Sequence, residues 1–227
     1  DWSSDVCSSD LKCGSADVLE RLGININDSR KNLEKKIIKN KFIFLFAPNY
    51  HSTMKNVAVI RKNLPFKTIF NLLGPLINPG FVKKQIIGIF DENLLSDYIK
   101  VLKSLGHKKA WVFHSADGLD EISIFSKTKV YELNNGKIKN FIIDPKNFIK
   151  KKYKFKSIIG KDSLYNSRKI IEIFSGKHNS FLEIVALNAA AGLIVSNKEK
   201  NLREAYYKVK NHMLSGKTIN KIKALAK

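Results

Sequence analysis

Between Gln85 and His114 the chain reads strand, helix, strand, and that order limits its fold more than any other feature. QIIGIF (85–90) is a short apolar, β-branched run. Residues 92–105 place Leu94, Leu95, Tyr98, Val101, Leu102 and Leu105 at helical spacing, and Gly106 closes the run. AWVFH (110–114) is strand-like again. A strand, a crossover helix and a second strand make a parallel pair. Further upstream, FIFLFA (42–47) reads as a buried strand, broken by Pro48 and Asn49, which open a helix running through about Arg61. The strands are apolar without alternation, which suits a sheet covered on both faces. The sequence therefore predicts an α/β fold with a central, largely parallel sheet flanked by helices.

Other elements attach to this frame. Helices are predicted at 16–23, 29–40 and 68–76, and the chain from about Ser167 reads as helices at 167–175, 180–195, 199–214 and 217–226. NNG between KVYEL (129–133) and KIKNFII (137–143) signals a hairpin. Residues 1–11, DWSSDVCSSDL, show no periodicity and lack the basic start and apolar centre of a signal peptide. They predict a non-native scar or disordered tail, fused to a chain whose N-terminal portion is missing.

Composition narrows the class. With 227 residues, 44% of them hydrophobic, the chain can bury a core of its own. It contains no apolar run of the ~18 residues a spanning helix needs. Two cysteines, Cys7 and Cys13, are too few for a disulfide framework or a zinc site, which points to a reducing, cytoplasmic setting. The formal net charge of +21 raises nucleic acid as a partner. Against that, the charge is mostly scattered lysine, in a chain also rich in Ile, Asn and Phe, a set that A/T-rich codons produce unaided. Arginine, the residue suited to phosphate and base recognition, occurs only at Arg21, Arg30, Arg61, Arg168 and Arg203.

Within so basic a chain, DGLDEIS (117–123) gathers Asp117, Asp120 and Glu121. On a loop after strand AWVFH, Asp120 and Glu121 can turn towards one point at the carboxyl end of the sheet, where α/β proteins bind ligands. Hard carboxylate oxygens suit Mg²⁺, which keeps several waters and shares substrate phosphates. The same residues also fit a solvated acidic turn, and Asp117 before Gly118 fits a turn residue best. On a helix from 50 to 61, at ~100° per residue, His51 and Arg61 fall on the apolar arc. An inward Arg needs an anionic partner, either a ligand carboxylate or phosphate or an acid of the protein itself. His51 equally fits a core or capping histidine. In KCGSAD (12–17), Ser15 and the backbone at a helix start could cradle a phosphate, or Ser15 or Asp17 could simply cap the helix.

Taken together, KCGSADVLERLG, FLFAPNYHSTMKNVAVIR, KTIFNLLGPLINPG, DGLDEIS and LNAAAGLIVSN occur in the order and spacing of the anthranilate phosphoribosyltransferase family. The resemblance runs from about Lys12 to the C-terminus. It implies transfer of the phosphoribosyl group of phosphoribosyl pyrophosphate to the amine of anthranilate, with Mg²⁺ assisting pyrophosphate release, in tryptophan biosynthesis. It also implies a small helical domain, to which residues 62–80 would contribute, joined to an α/β catalytic domain within 12–227, and a homodimer. By the same resemblance, Arg61 meets the anthranilate carboxylate and His51 lines the anthranilate channel. Ser15 belongs to the phosphoribosyl pyrophosphate site, and Asp120 and Glu121 bind Mg²⁺.

The chain departs from the family pattern in several places. The GTGGD loop and KHGN-type motif that precede GSAD in the family do not occur in it. Ser52-Thr53 replaces Pro-Ala after the histidine, and Pro65 replaces a glycine. Two alternatives stand beside this reading. One is pyrimidine nucleoside phosphorylase, opposed by GSADVLE together with Arg61. The other is a nucleic-acid-binding member of the same superfamily without transferase activity, supported by the charge and opposed by the intact Arg61, Asp120 and Glu121.

Overall fold

The computed structural model describes residues 13–51 and 68–226. In chain order its main elements are α1 (Ser15–Arg21), α2 (Arg30–Asn40), α3 (Phe70–Leu76), β1 (Lys84–Gly88), α4 (Leu95–Ser104), β2 (Lys109–Ser115), β3 (Thr128–Asn134) and β4 (Lys137–Ile143). They continue with α5 (Ser163–Phe174), α6 (Ser180–Val195), α7 (Leu202–Leu214) and α8 (Ile219–Leu225). The chain forms two compact units. One takes its described residues from the segment up to Gly80, from Gly160–Glu172 and from Thr218 onward. The other is Phe81–Ile159 with Ile173–Lys217.

The first unit is helical. In α1, Val18 joins Leu22, Ile24 and Leu225 of α8 in a small apolar cluster, with Ile170 of α5 packed against it. The Gly14 N–H donates to the Asp17 carboxylate (2.9 Å), and Gly23 ends this turn in the left-handed region (φ +79°). Ser29 caps α2 by accepting from the Asn32 N–H, and only Leu33 of that helix is buried. FIFLFA is not the buried strand expected from its composition. Residues 42–46 belong to no strand, Ala47–Asn49 form a 3₁₀ turn, and Phe42 is exposed. An apolar run becomes a strand only where a neighbour completes its hydrogen-bond ladder, and among the described residues none pairs with this one.

The second unit is a four-stranded sheet in the order β1-β2-β3-β4 between helical layers. β1 and β2 pair in parallel around the crossover helix α4, as the strand–helix–strand reading requires. The other two pairings, β2–β3 and β3–β4, are antiparallel, so the sheet is mixed and mostly antiparallel rather than largely parallel. The cause lies in the connections. Asn135 (φ +46°) and Gly136 (φ +81°) make a tight turn, which can only return the chain antiparallel. Coverage on both faces holds for β2, whereas β4 is exposed along most of its length.

Pleat alternation sorts the side chains of this sheet. Trp111, Phe113 and Val130 join the core formed with α6 and α7. Ala110, Val112 and Leu133 face the other way, towards α4 with its buried Leu95, Ile99 and Leu102. α6 is largely apolar and mostly buried, its Ala186, Ala190 and Ala191 allowing close approach. Asn179 caps its start, accepting from the Leu182 N–H (3.0 Å). At its other end Lys109 Nζ donates to the Ile194 carbonyl (2.8 Å) and Lys84 Nζ to that of Ser196 (3.2 Å), placing cations where the helix dipole favours them. Two polar groups inside this unit are fully partnered. Trp111 Nε1 donates to Glu132 (2.8 Å), which Lys139 also meets (3.0 Å). Glu183, 2% exposed, accepts from Lys210 (2.7 Å), His178 (2.6 Å) and the Tyr206 hydroxyl.

Candidate active site

The DGLDEIS loop follows β2 directly, at the carboxyl end of the parallel pair. Its conformation comes from a chain of hydroxyl groups beneath it. Ser115 Oγ donates to the Glu121 carbonyl (2.6 Å) and lies 2.6 Å from Thr128 Oγ1. Both hydroxyl oxygens accept from the Ser123 N–H. Ser123 Oγ in turn donates to Asp117 (2.6 Å) and accepts from the Phe125 N–H (2.9 Å). Asp117 is thus engaged inside the loop, and Gly118 takes a positive φ (+88°) at its tip. Ile122 is fully buried in the core, and its burial anchors the loop by ~2 kcal/mol.

Gly88, the last residue of β1, sits so close to the loop that a methyl group there would overlap the Asp120 carbonyl oxygen. No flexible side chain can yield at that point, since the clash is with backbone. We expect Gly88→Ala to displace residues 119–121 and to destabilise the fold by ~1–3 kcal/mol, the usual penalty of overpacking. Thermal melts against the unaltered chain check the stability, and a metal titration checks the loop.

Asp120 is half-buried and Glu121 exposed. Protein crowds the Glu121 carboxyl group although its surface remains open to water. That crowding, with the adjoining Asp120 charge, pushes its pKa up to about 7. Because the surface is open, the crowding weakens hydration without sealing the group off. Two adjacent carboxylates held on a rigid backbone, one of them raised by crowding and then by its neighbour's charge, are a donor set that a hard divalent cation would relieve. No cluster of three or more His, Cys, Asp or Glu occurs among the described residues, so such a cation would keep other positions for water or a ligand's oxygens.

The other residues singled out from sequence lie in the first unit or outside the described residues. Ser15 is exposed at the first position of α1, beside the Gly14–Asp17 bond. His51 is half-buried just past the 3₁₀ turn, its N–H donating to the Ala47 carbonyl (3.1 Å). Arg61 lies outside the described residues. The structure thus joins Asp120 and Glu121 in one loop. Gly88, Ser115 and Thr128, which help shape that loop, were given no role from the sequence, and Ser123 and Asn188 lay inside DGLDEIS and LNAAAGLIVSN without an assigned role.

Known proteins agree with this architecture. Residues 6–219 match the family model described as glycosyl transferase family, a/b domain. The chain belongs to the glycosyl transferase family. Its family relatives include an anthranilate phosphoribosyltransferase of Pelagibacter ubique (strain HTCC1062), 48% identical over 214 residues, with 94% of this chain and 65% of the relative covered. Among solved structures of the family, the anthranilate phosphoribosyltransferase of Thermus thermophilus superposes with a TM-score of 0.85 at 25% identity, over 99% of this chain and 70% of that one. A variant of the Saccharomyces cerevisiae enzyme with magnesium bound superposes with a TM-score of 0.83 at 25% identity, over 98% and 67%. The chain spans 65% of the length of the Pelagibacter relative and 62% of that of a Clostridium kluyveri anthranilate phosphoribosyltransferase.

Proposed function

We propose that the protein to which this chain belongs transfers the phosphoribosyl group of phosphoribosyl pyrophosphate to the amine of anthranilate, releasing pyrophosphate. The observation that carries this reading is the Asp120–Glu121 pair, presented at the carboxyl end of β2 by a loop hydrogen-bonded to Ser115 and Asn188 in a chain similar to anthranilate phosphoribosyltransferases. Asp120 and Glu121 would hold Mg²⁺. Bound there, the ion supplies neutralisation of the charge that builds on departing pyrophosphate. Arg61 would receive the anthranilate carboxylate in its planar fork. His51 would line the path of the aromatic ring, and Ser15 would donate to a phosphate oxygen. The aromatic amine is already a nucleophile, so no strong base is required of the protein. The same reading assigns residues 62–80 to a helical domain or hinge and the complete protein to a cytoplasmic homodimer.

The test is an assay for phosphoribosyl anthranilate, made on a chain extended to the length of the relatives. Product that depends on both substrates and on Mg²⁺ supports the reading. A stable, folded extended protein that makes none overturns it. Within that protein, Arg61→Ala should raise the KM for anthranilate about 10- to 100-fold, the worth of a charged hydrogen bond. The KM for phosphoribosyl pyrophosphate should hardly change. Equal rises for both substrates would remove the carboxylate assignment.

A further inference from the structure

The peptide group that follows Glu121 is gripped at both ends by side chains. Its carbonyl accepts from Ser115 Oγ (2.6 Å), and its N–H, that of Ile122, donates to Asn188 Oδ1 (2.9 Å). Asn188 then reaches one peptide further, its Nδ2 donating to the Ile122 carbonyl (3.0 Å) and to the Ile184 carbonyl one turn back on α6 (3.0 Å). A side-chain amide has one acceptor and two donors available for such work, and here all are engaged with backbone. Asn188 stands on the most deeply embedded helix of the unit, among Leu187, Ala190 and Ala191, each fully buried. The helix therefore acts as a fixed post, and the loop takes its orientation from it.

We propose that Asn188 is a positioning residue for the acidic pair, setting the direction in which Asp120 and Glu121 present their oxygens to a divalent cation. The inference rests on the reading of that pair as metal ligands and adds to it a residue that touches neither metal nor substrate. The physical reason is leverage. The Glu121 and Ile122 backbone sits between the pair and the core, so a rotation of that peptide re-aims both carboxylates. Ser115 alone fixes its carbonyl but leaves it free to pivot about that single bond. The Asn188 clasp removes the pivot. Partners of this kind around metal ligands change affinity about 10- to 100-fold when lost.

The experiment titrates Mn²⁺, followed by electron paramagnetic resonance, into the extended protein and four variants. Asn188→Leu keeps the side chain's bulk and removes the clasp. Asn188→Asp keeps the acceptor for the Ile122 N–H and loses the donor, so it stays informative if the leucine variant does not fold. Ala186→Gly weakens the same helix without touching the loop. Asp120→Asn with Glu121→Gln removes the proposed ligands. We expect Asn188→Leu to weaken Mn²⁺ binding about tenfold or more. Asn188→Asp should do so by a smaller factor, and Ala186→Gly should lower the melting temperature with unchanged Mn²⁺ affinity. In turnover, excess Mg²⁺ should restore kcat to Asn188→Leu.

Unaltered Mn²⁺ affinity in folded Asn188 variants overturns the positioning role. So does an equal loss of affinity in Ala186→Gly, which would reduce Asn188 to a stabilising residue. Mn²⁺ binding that the Asp120→Asn, Glu121→Gln protein retains in full would instead remove the reading of the pair, a result distinct from either.

Discussion

With Asp120 replaced by Asn and Glu121 by Gln, Mg²⁺-dependent product formation in the extended protein should fall about a thousandfold while the fold is kept. The size follows from the several kcal/mol of charge stabilisation that a metal at a leaving group contributes. The fold should survive because the loop is built from backbone and from Ser115, Ser123, Thr128 and Asn188, not from these two carboxylates. The variant should even gain stability at neutral pH, and the sign can be worked out. The Glu121 pKa lies at about 7 in the folded chain against an ordinary value of 4.5. The folded state therefore binds more protons than the unfolded state between those values, and stability declines as pH rises through that window. An amide at 121 removes the decline. Steady-state kinetics across a Mg²⁺ series, with melts at pH 5 and pH 8, check both parts. Unchanged Mg²⁺ dependence would make DGLDEIS a turn and nothing more.

Glu183→Ala should destabilise the second unit by about 3–5 kcal/mol, the loss seen when one partner of a buried ion pair is removed. Lys210, with its side chain 18% exposed, would be left charged against the core, and the Tyr206 hydroxyl would lose its acceptor. Burial alone would raise the Glu183 pKa, but hydrogen bonds from Lys210, Tyr206 and His178 outweigh it and hold the group below its ordinary 4.5. A depressed carboxylate contributes stability above its unfolded pKa and loses it as pH falls through the folded value. Denaturant melts should thus show the unaltered chain weakening below about pH 4.5, and the variant, already weakened, with a flatter acid limb. A variant as stable as the parent at pH 7 would mean that the buried group contributes nothing net.

The sequence made the local elements readable and left the long-range ones hidden. The helix at 180–195 and the hairpin around Asn135-Gly136 appear where pattern and turn chemistry place them, because both are decided by neighbouring residues. FIFLFA did not, because a strand depends on a partner that periodicity cannot supply. The direction of β3 against β2 is set by a connection that carries no crossover helix, and it overrode the parallel expectation drawn from β1 and β2. The acidic pair stood out by its charge in a basic chain. Asn188 lay inside the LNAAAGLIVSN motif, but its contact with the loop could not be read, since its partner Ile122 lies 66 residues away. Gly88 was hidden for the same reason: the backbone that forbids a side chain there comes from another part of the chain.

The tryptophan of β2 also offers a practical advantage. The sequence contains two tryptophans, Trp2 and Trp111. Trp111 is 3% exposed, hydrogen-bonded to Glu132 and set edge-on to Phe141 at 5.2 Å between ring centres. A Trp2→Phe chain would therefore emit from one indole alone, shielded from water and read out at the centre of the sheet. Its intensity and colour would report the opening of the β2–β3–β4 layer directly. A fluorescent dye added to the protein would not be needed to follow that layer through any of the melts above.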